Sequence, residues 1–99
     1  NLRIVLRENP RSARVLHNLA IALTQLGRLA EADQNLQLAL EVEPQNPRVL
    51  HTLGILRARQ NRLAEAEQYL VQALQIDPSF RQCQEDLERM RANMRGRQP

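Results

Sequence analysis

The stretch that decides the fold is ARVLHNLAIALTQLGRLAEADQNLQLALEVEPQN, residues 13–46, which returns 34 positions later. The second copy is PRVLHTLGILRARQNRLAEAEQYLVQALQIDPSF, residues 47–80, and 16 residues are identical between the two. A fixed period of this length is typical of stacked repeat arrays, in which each unit packs against its neighbours. Such arrays present extended surfaces to partners rather than closed catalytic pockets. The repeat therefore predicts a solenoid and favours a binding role.

Each copy predicts two helices joined by a short turn. In the first copy, apolar residues follow helical spacing over residues 13–26 and again over residues 29–42. Gly27 and its equivalent Asn61 separate the two helices, at a position where a left-handed residue ends a helix. Pro44 and Pro78 close the second helices, because proline cannot continue a helix. The pattern thus predicts consecutive helical hairpins.

The repeated residues carry a family resemblance. Small residues, a Leu-Ala-Glu-Ala segment and prolines recur at matching places: Ala20 and Gly54, Gly27, residues 29–32 and 63–66, Ala39 and Ala73, and Pro44 and Pro78. This pattern and the 34-residue period resemble the tetratricopeptide repeat family. The resemblance implies an all-α, tetratricopeptide-type helical-hairpin solenoid with a right-handed superhelix. Leu16 and Leu50 stand where the family often has Trp, and Arg57 stands where an aromatic residue is usual. Arg57 argues against all-round packing of the first helix in the second copy.

The resemblance divides the chain into about 2.5 repeats and a C-terminal capping helix. Residues 1–9 align with the second helix of a repeat and are expected to end a truncated preceding one. Residues 13–46 and 47–80 form two tetratricopeptide repeats, residues 80–94 the capping helix and residues 95–99 a basic flexible tail. The capping helix keeps a single apolar stripe, as expected at the end of a solenoid: Phe80, Cys83, Leu87, Met90 and Met94.

Composition and motifs give no sign of catalysis, and no cofactor is predicted. The three glycines at 27, 54 and 96 form no phosphate-binding loop, and no nucleophile and base stand in a recognisable motif. No apolar run is long enough to span a membrane, and localisation stays open. All 14 basic residues are Arg, which we interpret as the codon bias of a GC-rich, bacterial genome. Cys83 is the single cysteine, which excludes an internal disulfide, and it is expected to be packed because Val15 and Val49 are its equivalents.

Two groups of polar residues are candidate ligand sites, namely the two histidines and the C-terminal arginines. For each group a simpler interpretation is favoured. His17 and His51 are repeat equivalents, and neither first helix offers an acidic residue to complete a metal site, so duplication of a surface residue is favoured. The C-terminal end is basic, yet no aromatic residues accompany its arginines to stack bases, so a solvated tail is favoured over nucleic-acid binding. These arginines are Arg89, Arg91, Arg95 and Arg97.

The resemblance places a binding groove on the first helices of the repeats. Three arginines on this face favour an anionic partner, such as an acidic segment or a terminal carboxylate. The alternative is a solvated helix face without a fixed ligand. His17 and Ile21 replace the Lys and Asn expected in the family's clamp for heat-shock chaperone tails, so that ligand is disfavoured. The predicted groove residues are Arg14, His17, Asn18, Ile21, Gln25, Arg48, His51, Thr52, Ile55 and Arg59, with Gln82, Glu85 and Asp86 from the capping helix.

We interpret the chain as a non-enzymatic scaffold module that binds an extended or helical peptide of a protein partner. One alternative is self-association, as a dimer or by helix exchange, through an apolar surface of the truncated repeat formed by Leu2, Val5 and Leu6. A second alternative is an interaction arm of a larger enzyme, such as a glycosyl- or sulfotransferase.

Overall fold

The structure, a computed structural model, describes residues 12–96 and shows five α-helices and no strand within them. In chain order the helices are α1 (Ala13–Gln25), α2 (Leu29–Val42), α3 (Pro47–Arg59), α4 (Leu63–Ile76) and α5 (Arg81–Gly96). Helix α1 packs against α2 and α3 packs against α4, so each copy of the repeat is one hairpin. Contacts between α2 and α3, and between α4 and α5, stack these units in chain order. The predicted all-α helical repeat is confirmed.

The turns inside both hairpins have the same backbone geometry. Gly27 and Asn61 take positive φ angles of 80° and 61°. The backbone N–H of the residue after each one donates to the carbonyl five residues earlier, at 2.9 Å in both hairpins. This bond satisfies a carbonyl that the helix end leaves unpaired, and Gly and Asn reach the left-handed region most easily. The prediction for Gly27 and Asn61 is therefore confirmed.

Side-chain caps fix where the first helices begin. Ser12 Oγ accepts a hydrogen bond from the N–H of Val15 at 3.3 Å and so caps α1. Asn46 Oδ1 accepts from the N–H groups of Arg48 and Val49 at 3.0 and 3.3 Å, and Pro47 occupies the first turn of α3. Each cap satisfies N–H groups that have no partner within the helix.

The core consists of two clusters of apolar side chains, one for each step of the stack. The first cluster lies between α1, α2 and α3, and the second joins Leu50 of α3 to α4 and α5. Leu36, Leu53 and Leu70 are fully buried. A Cβ on Gly54 would lie 2.7 Å from Leu70 Cδ2, so the small residue at this position allows α3 and α4 to approach closely. Small residues thus set the distance between helices, as the sequence predicts.

Arg57 is buried in the stack, and the expected gap in the packing of α3 is not found. Its side chain is 7% exposed, and Nη2 lies 2.9 Å from Asp33 Oδ1 on α2. Nε lies 3.3 Å from Glu65 Oε1 of α4, close enough for an ion pair although outside hydrogen-bond geometry. Nη1 donates to Gln60 at 3.1 Å, and the guanidinium lies 5.8 Å from the ring centroid of Tyr69. Arg57 therefore links α2, α3 and α4.

A second ion pair repeats this link one unit later. Arg91 Nε donates to Glu67 Oε2 at 2.7 Å, joining α5 to α4. Arg91 and Glu67 are the equivalents of Arg57 and Asp33, shifted by 34 positions. The Arg91 side chain is 46% exposed, so the same interaction occurs once in the interior and once at the surface.

Cys83 is predicted to be unreactive in the folded protein. The thiol is fully buried, Sγ donates to the carbonyl of Leu70 at 3.4 Å, and burial followed by the charge of Asp86 raises the pKa of Cys83 to about 11. Because the thiolate is the reactive form, labelling by a disulfide reagent at neutral pH should be at least about 100-fold slower than in urea. Stoichiometric labelling of the native chain on mixing would contradict this burial.

Candidate functional site

Helices α1, α3 and α5 are linked by two equivalent contacts between side chains. His17 Nε2 lies 2.6 Å from Thr52 Oγ1, which joins α1 to α3. His51 Nε2 lies 2.7 Å from Asp86 Oδ2, which joins α3 to α5. Both pairs are 35 positions apart, one repeat plus one residue. We call the surface of these three helices that carries the four residues and the predicted groove residues the inner face.

The carboxylate of Asp86 has several polar contacts within the protein. Its side chain is 10% exposed, and that of His51 is 16% exposed. Asp86 also accepts from Gln82 Nε2 at 3.3 Å, and Nη1 of Arg89 lies 3.5 Å away. The His51 ring stacks at a tilt on Phe80, with 5.0 Å between ring centroids. These contacts position His51 and attach α5 to the stack.

The sequence interpretation of the histidines missed their bonds to the next helix. Neither first helix carries an acidic residue, and the partner of each histidine lies one repeat plus one position ahead, which for His51 is Asp86 on α5. The periodic signal was present, since Asn18, Thr52 and Asp86 are repeat equivalents. Among the described residues no group of three or more His, Cys, Asp or Glu side chains is placed to hold a metal ion.

His17 lies in a positively charged environment. Burial lowers its pKa, and the charge of Arg48 and the neighbouring His51 lower it further. At neutral pH the ring is therefore uncharged, and the bond to Thr52 is one between neutral groups. The positive charge on this part of the inner face belongs to arginine.

Three arginines predicted for the groove are exposed on the inner face. Arg14 is on α1, and Arg48 and Arg59 are at the two ends of α3. None of the three forms an ion pair with any other residue in the described part of the chain. Several other arginines are already paired, for example Arg28 with Glu31 at 2.7 Å. The inner face therefore keeps cations that are free to meet a ligand.

A hollow of about 240 Å³ lies between α1 and α3 on the inner face. Its apolar part includes Ile21, which is 39% exposed, and the nearly buried Leu56. Six of the ten predicted groove residues of α1 and α3 line it: Ile21, Gln25, His51, Thr52, Ile55 and Arg59. Thr24 and Leu56 also line the hollow, although the sequence interpretation did not include them.

The remaining predicted residues lie outside this first hollow. Arg14, Asn18 and Arg48 are exposed on α1 and α3, and His17 is partly buried between these helices. Leu2, Val5 and Leu6, the predicted self-association residues, lie outside the described residues.

A second hollow of about 250 Å³ lies between α3 and α5. Ile55 lines both hollows and separates them. On α5 the lining is mostly polar, with Asp86, Arg89 and Asn93 beside the buried Met90. Of these, only Asp86 was predicted to face a ligand, since the residues of α5 predicted for the groove were Gln82, Glu85 and Asp86.

The chain consists of helical hairpins stacked with a 34-residue period, and the first helices of the hairpins form a face with hollows. These features define a helical-repeat protein of the interaction-module class. A family model described as tetratricopeptide repeat matches residues 11–79, and the chain belongs to this family. The family is typically a non-enzymatic module for binding other proteins. No helix in the described part of the chain is long and apolar enough to cross a membrane.

Solved structures with the same fold include proteins of different kinds. The first tetratricopeptide domain of Spaghetti (RPAP3), bound to the HSP90 peptide SRMEEVD, gives a TM-score of 0.86 at 18% identity, covering 94% of this chain and 76% of that one. The Arabidopsis OM64 domain gives 0.83 at 22% identity, covering 92% and 75%. Both likenesses show the fold alone.

Pseudomonas aeruginosa pilF is similar at a higher identity. Its structure gives a TM-score of 0.85 at 26% identity, covering 96% of this chain and 44% of that one. The chain thus spans less than half the length of pilF. A comparison with curated protein sequences gave no significant match.

Proposed function

We propose that the chain binds an acidic peptide segment of a protein partner along the inner face. The observation that carries this proposal is a set of three exposed arginines without an ion pair among the described residues, Arg14, Arg48 and Arg59, of which Arg59 also lines the apolar hollow. Guanidinium groups bind carboxylates through two parallel hydrogen bonds, which gives both attraction and orientation. The hollow adds a place where one apolar side chain of the ligand leaves water.

The charge balance of the inner face favours an acidic ligand over a basic one. Asp86 is hydrogen-bonded to His51 and Gln82 and lies 3.5 Å from Arg89, so its charge is partly compensated within the protein. Glu85 is the exposed carboxylate that α5 contributes to the predicted groove. Against it stand the arginines of α1 and α3, so the net charge available to a ligand is positive and should raise the association rate of acidic segments.

The test uses fluorescent peptides of one length whose net charge is negative, zero or positive. Acidic peptides should bind, and binding should weaken as salt is added because exposed charges are screened. The double substitution Arg48→Ala and Arg59→Ala should weaken binding about 10- to 100-fold, since it removes two charge-assisted contacts. Fluorescence anisotropy measures the affinity.

The matched control is the double substitution Arg28→Ala and Arg62→Ala. These arginines are also exposed, but they pair with Glu31 and Glu65 at the start of α2 and α4, and neither lines a hollow of the inner face. The control variant should bind acidic peptides within about twofold of the unaltered chain. Equal losses in both variants, or equal binding of acidic and basic peptides, would show that the inner face is not the binding surface.

A further inference from the structure

The two hollows of the inner face are repeat equivalents of each other. Adding 34 to the numbers of Ile21, Thr52 and Leu56 gives Ile55, Asp86 and Met90, and all three line the second hollow. Ile55 of α3 therefore lines both hollows, the one toward α1 and the one toward α5. The stack presents the same kind of depression twice, one repeat apart.

Five of the six pairs of equivalent lining residues differ between the two hollows, and two of these differences change the chemistry most. Ile55 in the first hollow is replaced by Arg89 in the second, and Thr52 is replaced by Asp86. The Arg89 side chain is 71% exposed and lies 3.5 Å from Asp86, and Asn93 adds an amide. The first hollow is therefore mainly apolar, and the second offers both a donor and an acceptor.

The distance between the hollows suits an extended ligand. Side-chain bonds join α1 to α3 and α3 to α5, and the axes of neighbouring helices in a stack lie on the order of 10 Å apart. In a polyproline-type extended chain, residues three positions apart lie on the same side and are separated by about 9 Å. One residue can then enter the first hollow while the third residue along enters the second.

Building on the proposed function, we infer that the inner face selects an acidic, extended segment in which a large apolar residue and a glutamine or asparagine are three positions apart. The apolar side chain enters the hollow beside Ile21, and the amide enters the hollow beside Arg89. An amide fits this second place because its carbonyl accepts from Arg89 while its NH₂ donates to Asp86. A carboxylate would gain Arg89 but would meet the charge of Asp86.

The test is a set of acidic peptides with equal net charge that carry Leu and Gln three positions apart, in either order. Replacing the Leu by Ala should weaken binding about tenfold, because a buried side chain loses its methyl groups. Replacing the Gln by Ala should weaken binding about fivefold. Peptides with a separation of two or four, and peptides with Glu in place of Gln and one acidic residue fewer elsewhere, should bind less tightly than the reference.

The variant Arg89→Ile tests the second hollow directly, since it restores the residue found at Ile21 and Ile55. We expect this variant to bind peptides with Leu more tightly than peptides with Gln at the position that enters the second hollow. The unaltered chain should have the opposite preference. Arg81→Ile, an exposed change on the same helix outside the hollow, should leave the preference as it is. A folding defect would weaken the binding of all peptides alike and would not reverse the order of their affinities.

The outcomes distinguish a failure of this inference from a failure of the proposed function. If acidic peptides bind with affinities that do not depend on the Leu, the Gln or their separation, this inference is overturned and the proposed function stands. If Arg89→Ile leaves the order of peptides unchanged, the assignment of the second hollow is overturned. If acidic peptides bind no better than basic ones, the proposed function itself fails.

Discussion

Replacing Leu36 by alanine is expected to lower the free energy of unfolding by about 2–5 kcal/mol. Leu36 lies on α2 and is 0% exposed, packed among the side chains of the first core cluster. Part of the loss comes from the apolar area returned to water, and part from the cavity that neighbouring helices cannot close. Since small domains are stable by about 5–15 kcal/mol, a large share of the fold's stability depends on this side chain.

Leu38→Ala on the same helix is the matched control. Leu38 is 47% exposed, so its truncation should change the free energy of unfolding by no more than about 0.5 kcal/mol. Urea denaturation followed by circular dichroism measures both variants. Equal losses would contradict the orientation of α2 in the stack.

Arg57→Ala is expected to cost about 2 kcal/mol, whereas Arg91→Ala, the same change one repeat later, should cost less than about 1 kcal/mol. Arg57 is buried, so its removal deletes packing against Tyr69 and leaves Asp33 without its cation, whereas Glu65 keeps its ion pair with Arg62. These carboxylates are 29% and 43% exposed, so water can solvate them, which keeps the cost below that of breaking a fully buried pair. Arg91 is half-exposed, and its ion pair is screened.

Arg57→Leu distinguishes packing from charge at this position. Leucine already occupies the equivalent place in the first repeat, as the buried Leu23. If packing dominates, Arg57→Leu should stay within about 1 kcal/mol of the unaltered chain, because apolar residues often replace buried ion pairs without loss. A loss as large as that of Arg57→Ala would show that the ion pairs themselves carry the stability. Urea midpoints and slopes of the three variants give the comparison.

The family and the hairpins could be predicted because their signals are local and repeated. Gly27 and Asn61 mark the same left-handed turn, and the prolines at 44 and 78 mark the same helix ends. The site was predicted only in part. Ile21, Ile55 and Arg59 do line the first hollow, but Thr24 and Leu56 were missed, Leu56 because it is a buried residue of the first core cluster.

The sequence by itself determined the repeat, the positions of the helices and turns, and the small and large residues that let the helices stack. Each of these depends on neighbours within a few residues or on comparison at the fixed period. Only the tertiary structure decided that Arg57 is buried, that His51 is bonded to Asp86, and that the inner face carries two hollows of different chemistry. The physical reason is that these contacts join side chains of different helices, so they depend on the distance and angle at which one helix packs against the next.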